Sequence, residues 1–233
     1  MAMTAARPVI RGVVFDMDGT LTVPCIDFAL MKQRAGVPQD KDILDTINGW
    51  EDVACRERAF AAILEMEEDA LANMRVMPGC TELCAFLDAQ QVPRGLITRN
   101  VRAGVRHFHD FHLVPSGARA FEPAITRECD FEYKPSPAAL VHICKAWGVA
   151  PGEAVMIGDS VKDDIVCGNR AGAVTILLDY DGKNGYSADQ FEGEMRPTHV
   201  VTGLSQVEGI LRGMYELRAA AHGHNVIVPG SNE

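Results

Sequence analysis

The chain carries no basic surplus. Its 22 lysines and arginines face 32 aspartates and glutamates, a formal net charge of −10 over 233 residues. Binding along a nucleic-acid backbone rests on a positive surface, so nucleic acid is not an expected partner, whereas a small anion held in a local pocket remains open. Long apolar runs are missing too. None approaches the ~20 residues that span a bilayer, so no membrane partner is expected. The opening MAMTAARPVI holds no apolar stretch of the secretory kind; its single Arg7 and lack of acids faintly resemble the end of a transit peptide. No CxxC pair occurs, and the seven cysteines (Cys25, Cys55, Cys80, Cys84, Cys129, Cys144, Cys167) are odd in number. A disulfide framework or zinc site is poorly supported by that pattern. The cysteines are expected as buried thiols of a reducing compartment. The expected location is cytoplasmic, or an organelle if the N-terminus is trimmed.

The rest is ordinary globular material: 47% of residues are hydrophobic and 23% charged, enough apolar mass for a sizeable core. Short apolar runs rich in Val and Ile alternate with amphipathic ones. PVIRGVVF (8–15), VPRGLIT (92–98), AVMIGD (154–159) and AVTILLD (173–179) predict buried strands, with THVV (198–201) a weaker one. GCTELCAFLDAQ (79–90), SPAALVHICKAWG (136–148), DDIVCGNRAG (163–172) and LSQVEGILRGMYELRAA (204–220) predict helices. Strand–helix alternation predicts an α/β fold, a parallel sheet flanked by helices. One region breaks the rhythm. Residues 23–77 are helical in composition throughout, which predicts a small helical insertion after the first strand. The expected organisation is a core of 1–22 and 78–220, an inserted unit of 23–77, and a poorly ordered tail over 221–233.

In a parallel α/β sheet, ligands lie beyond the carboxyl ends of the strands. Those ends collect an unusual set. The first strand runs out at Asp16, with Asp18 just beyond in DMDGTLT; the second ends at Thr98, followed by Arg99 and Asn100. Lys134 stands in FEYKPSP, and GDSVKDD supplies Asp159, Asp163 and Asp164. Converging carboxylates need a compensating charge, and hard oxygen donors suit Mg²⁺. Carboxylates, one ammonium and one hydroxyl fit phosphoryl transfer. One carboxylate can attack phosphorus, and a second can protonate the leaving alkoxide and then activate water.

DMDGTLT, LITRN, YKPSP and GDSVKDDIVCGNRAG, in that order, resemble the four motifs of the haloacid dehalogenase superfamily, most nearly its phosphoglycolate phosphatase-like branch. The resemblance covers the core from residue 12 to about 180 and implies the superfamily's Rossmann-like core. It likens the helical insertion to a C1-type cap, the part that selects substrate. It also implies Asp16 as nucleophile and Asp18 as general acid/base. Mg²⁺ would be held by Asp16, Asp159 and the Asp18 backbone carbonyl. Thr98 and Lys134 would bind the phosphoryl group, with Arg99 and Asn100 as further candidates. Gly19 would shape the turn and Thr20 would support Asp18. For the second acid of the last motif, counting forward from Asp159 favours Asp163, whereas aligning back from DIxxGxxAG favours Asp164; the latter is preferred.

The implied activity is Mg²⁺-dependent hydrolysis of a small phosphorylated metabolite, such as phosphoglycolate, a sugar phosphate or a polyol phosphate, through an aspartyl-phosphate. A phosphomutase of the β-phosphoglucomutase kind would use the same residues, and a non-catalytic binding module could be built on the same fold. The histidines of HFHDFH (His107, His109, His112) invite a metal reading, but His–x–His spacing does not put two ligands on one helix face. No oligomeric state follows from the sequence; a monomer satisfies it.

Overall fold

A computed structural model describes residues 6–220. The described residues divide into two compact units, 6–22 with 76–220, and 23–75.

The larger unit is built on a six-stranded parallel sheet. Its strands are β2 (Gly12–Phe15), β3 (Arg94–Ile97), β4 (Ala124–Ile125), β5 (Ala154–Gly158), β6 (Val174–Leu178) and β7 (His199–Val201), in the order β4-β3-β2-β5-β6-β7. From central β2 the chain moves outward to one edge through β3 and β4, then returns to β5 and moves to the other. The β2–β5 junction is therefore the topological switch point, where the strand ends open a crevice. All four residues of β2 are buried, as a strand covered on both faces requires.

The helices that flank this sheet include α4 (Cys80–Ala89), α5 (Arg102–Phe108), α6 (Ala138–Trp147), α7 (Val166–Ala171) and α8 (Ser205–Met214). Helix α6 shows why its sequence is helical. Leu140, Ile143, Cys144 and Trp147 recur at three- and four-residue intervals and bury against Val14, Ile97 and Met156 of the sheet. Each such side chain contributes about 1.5–3 kcal/mol when fully buried. Gly148, in the left-handed conformation, closes the helix. Gly12 on β2 leaves the space that the Trp147 ring fills, and Trp147 Nε1 donates to Glu122 O at 3.0 Å.

Three local expectations are corrected. The strand predicted over 8–15 is broken at Arg11. Its N–H donates to Glu153 O (2.7 Å), and its guanidinium turns to Glu153 Oε1 and Ala219 O. Residues Val9–Ile10 (β1) instead pair in parallel with Glu216–Leu217 (β8) as a separate small sheet. The helix predicted over 204–220 therefore ends at Met214. Tyr215 turns extended, with its hydroxyl 2.8 Å from His199 Nε2, and the next two residues join β1. Among the cysteines, Cys80, Cys84, Cys129, Cys144 and Cys167 are buried, but Cys25 is exposed and Cys55 half-exposed. Cys55 lies in a helix's first turn, where its Sγ faces Asp52 Oδ2 (3.2 Å). The expectation for the tail falls outside the described residues.

The smaller unit holds α1 (Phe28–Ala35), α2 (Ile43–Asn48) and α3 (Val53–Ala72). Each begins with an aspartate N-cap. Asp27, Asp42 and Asp52 accept from the backbone N–H three residues on. Met31, Ala35, Ile47, Ala59, Ile63 and Met66 form a core of its own.

Candidate active site

Strand β2 delivers Asp16 to the switch point. Its N–H still donates to Ile157 O of β5 (2.9 Å), so its backbone belongs to the sheet while its side chain stands beyond it. The chain then folds into one tight turn. Met17 O accepts from the N–H groups of Thr20, Leu21 and Thr22, and Gly19 N donates to Thr22 O. Gly19 has φ of +91°, and a Cβ there would strike the Asp159 carboxylate. Both the backbone geometry and the close approach require glycine.

Lys134 lies between two of the acids. Its Nζ donates to Asp16 Oδ1 at 2.5 Å and to Asp164 Oδ1 at 2.6 Å, and all three residues are buried. Asp164 is set by the segment after β5. Ser160 caps it, its Oγ accepting from Asp163 N (3.2 Å), and Ser160 N donates to Asp164 Oδ2 (3.0 Å). Residues Val161–Ile165 then form a wide π-type turn rather than the regular helix predicted, a form frequent at functional sites. Asp159 meets solvent but receives the Thr20 hydroxyl on Oδ1 (3.5 Å). Carboxylate oxygens of Asp16, Asp159 and Asp164 all lie within 4.8 Å of one another.

Crowding like charges out of water shifts their ionisation. Burial, opposed by Lys134 and reinforced by Asp164, pushes the Asp16 carboxyl well above the ordinary carboxylate range. Partial enclosure, then the charge of Asp164, raises Asp159 to about 6. Burial would depress Lys134, but the carboxylates of Asp16 and Asp164 outweigh it, so the ammonium is held more firmly than usual. Three carboxylates against one ammonium leave an excess of two negative charges when all are ionised. An all-oxygen donor set with that excess fits a hard divalent cation such as Mg²⁺.

Asp18 sits two residues on and is half-buried. Asn100 Nδ2 donates to its Oδ2 (3.1 Å), and the Thr22 hydroxyl lies 3.4 Å from its Oδ1. The hydroxyl expected to support Asp18 was that of Thr20. The turn places Thr20 on Asp159 instead and brings Thr22 to Asp18. Asn100, expected at the phosphoryl group, is committed to Asp18. Thr98 is buried at the end of β3, its Oγ1 accepting from Asn100 N (3.0 Å). Arg99 Nη2 donates to Lys134 O (3.1 Å) and lies 3.5 Å from Asp163 Oδ1. Of the two acids left open in the last motif, Asp164 joins Asp16 and Lys134, and Asp163 turns to the rim. The histidines of HFHDFH lie on α5 and the following turn, where His109 stacks on Phe121 and its Nε2 accepts from Phe121 N.

Two supporting residues were not anticipated. Ser160 was legible as the capping residue of an S-x-x-D pattern. Gly158 was not, because its role is spatial: a Cβ there would overlap the Asp164 carboxylate. Gly158→Ala should therefore displace Asp164 from Lys134. It should cost about 1–3 kcal/mol in urea unfolding, and any turnover should fall about 100-fold, as expected for a misplacement near 1 Å.

The profile of the haloacid dehalogenase-like hydrolases matches residues 10–172, which include Asp16, Asp18, Thr98, Lys134, Asp159 and Asp164. The chain belongs to this family. It is 42% identical over 227 residues to a haloacid dehalogenase-like hydrolase domain-containing protein of Arabidopsis thaliana, covering 92% of this chain and 89% of that one. It is 28% identical over 228 residues to a phosphoglycolate phosphatase of Psychrobacter arcticus, covering 87% and 96%. The crystal structure of a predicted phosphoglycolate phosphatase from Haemophilus somnus superposes with a TM-score of 0.66 at 19% identity, over 86% of this chain and 97% of that one. That likeness is one of fold. Among the described residues of this family member, no helix is long and apolar enough to cross a membrane.

Proposed function

We propose that this hydrolase is a Mg²⁺-dependent phosphatase that cleaves a small phosphorylated metabolite through an aspartyl-phosphate on Asp16. The observation that carries this reading is the Lys134 ammonium clamped between Asp16 and Asp164 at the switch point of the sheet. The likeness to phosphoglycolate phosphatases supports the substrate class.

Asp16 attacks phosphorus with the oxygen that Lys134 does not hold. A P–O bond to the carboxylate forms while the bond to the ester oxygen breaks. Asp18, steadied by Asn100 and Thr22, gives its proton to the departing alkoxide. It then takes a proton from the water that attacks the phosphorus of the acyl phosphate, releasing phosphate and restoring Asp16. Lys134 and the Thr98 hydroxyl bind and orient the phosphoryl oxygens. Asp16, Asp159 and the Asp18 carbonyl would hold the cation, with Asp164 beside them. When bound it supplies charge neutralisation of the phosphoryl group.

The test is phosphate release across a panel of phosphorylated metabolites, with Mg²⁺ and after chelation. Release from at least one ester, lost on chelation and restored by Mg²⁺, is expected. Isomer formation without net phosphate release would indicate a phosphomutase. A flat response across the panel would overturn both and favour a binding module.

A further inference from the structure

The first motif's acids, Lys134 and Thr98 account for the transferred phosphoryl group, but they leave the neighbouring Arg99 unexplained. Arg99 follows Thr98 directly, and its side chain is 55% exposed. It is anchored through a single nitrogen: Nη2 donates to Lys134 O at 3.1 Å and lies 3.5 Å from Asp163 Oδ1. The Tyr133 ring lies beneath the guanidinium at 5.8 Å. Among the described residues, Nε and Nη1 have no hydrogen-bond partner. The Asp163 contact is long and its side chain is itself 36% exposed, so it is the kind of surface pair worth little in water. The guanidinium is thus steered and steadied, with most of its donor fork open to solvent.

Its position relative to the chemistry is set by Lys134. The carbonyl of that residue holds Arg99, and the ammonium of the same residue holds Asp16. Lys134 thus links the guanidinium to the nucleophile, its backbone touching one and its side chain the other. An open arginine fork matches a carboxylate or phosphate through paired N–H···O bonds.

We infer that Arg99 selects substrate by binding a second anionic group, a carboxylate or a further phosphate, lying a few bonds from the phosphoryl group that Asp16 attacks. This inference rests on the phosphatase reading above and deepens it: the preferred esters are doubly functional anions, and esters whose far end is neutral are poorer ligands. The anion replaces the weak contact with Asp163, and Nη2 keeps its bond to Lys134 O.

The test compares two esters of nearly one shape, 2-phosphoglycolate and 2-hydroxyethyl phosphate, which differ in whether the far end is a carboxylate or a hydroxyl. Binding is measured calorimetrically with Mg²⁺ in an Asp16→Asn background, which removes turnover, with and without Arg99→Met. The second substitution should weaken phosphoglycolate binding about tenfold or more, the scale of a lost charge-assisted pair, and should weaken hydroxyethyl phosphate binding several-fold less. Arg99→Lys, which keeps the charge but not the fork, should fall between. Equal weakening of both esters would overturn the inference, because Arg99 would then act only through the Lys134 carbonyl. Binding of neither ester by the Asp16→Asn protein would overturn it as well. A preserved binding difference with no hydrolysis of either ester by the unsubstituted protein would instead defeat the phosphatase reading and leave the role of Arg99 standing.

Discussion

Asp16→Asn will reduce turnover by roughly 10⁴-fold or more, the scale seen when a covalent nucleophile is removed, and will leave the protein at least as stable. The two halves of this expectation have one cause. Asn keeps the shape of Asp and an oxygen that can still accept from Lys134, so the 2.5 Å contact has a neutral replacement. The amide oxygen, however, carries no charge with which to attack phosphorus. In the metal-free site the Asp16 carboxyl is an electrostatic liability, because burial and the neighbouring carboxylates of Asp164 and Asp159 push its ionisation upward. Neutralising it relieves that repulsion. Thermal unfolding without Mg²⁺ should show an unchanged or higher Tm, and single-turnover assays should show no trapped phosphoenzyme. A variant with wild-type turnover on every good ester would remove Asp16 from the role of nucleophile.

Lys134→Met will have the largest effect on stability. Lys134 is buried and hydrogen-bonded to two buried carboxylates. Breaking such a pair strands the partners, at a cost of about 3–5 kcal/mol. The pH dependence follows from the signs. Asp16 and Asp159 bind their protons more tightly in the folded chain than in the unfolded one, with Asp159 raised to about 6. The folded state then holds more protons than the unfolded state between the ordinary carboxylate range near 4 and these raised values. Their contribution is favourable below that window and is lost as pH rises through it. Lys134 pulls both carboxyls down, so without it the window widens upward and the loss at neutral pH grows. Denaturant unfolding should therefore show a larger deficit for the variant at pH 8 than at pH 5, and Mg²⁺ should recover part of it at pH 8. A deficit independent of both pH and Mg²⁺ would show that lost packing, not charge, is responsible.

Much of this site could be read along the chain, for a physical reason. Strands buried on both faces must be continuous apolar runs, so GVVF and AVMIG announce themselves, and acids placed directly after such runs stand out by contrast. The helices with a clear apolar stripe, α4 and α6, were legible in the same way. Two-residue β4 was not, because so short a segment has no period. The break at Arg11 and the early end of α8 were hidden as well. Both come from the pairing of β1 with β8, whose residues lie some 200 positions apart, and local propensity carries no trace of such a partner.

The order of residues in the chain settled which groups would meet at the strand ends: Asp16, Thr98 and Asp159 directly follow β2, β3 and β5, and the parallel sheet brings those ends together. Their division of labour waited on the packed structure. Asp163 and Asp164 are adjacent in sequence and equivalent in composition. The Ser160 cap and the wide turn after it rotate one into contact with Lys134 and leave the other at the rim with Arg99. Likewise, Thr20 and Thr22 differ by two positions, and the tight turn on Met17 O sends one hydroxyl to Asp159 and the other to Asp18. Such choices depend on backbone rotation over one or two residues, and only the contacts of the folded chain set that rotation.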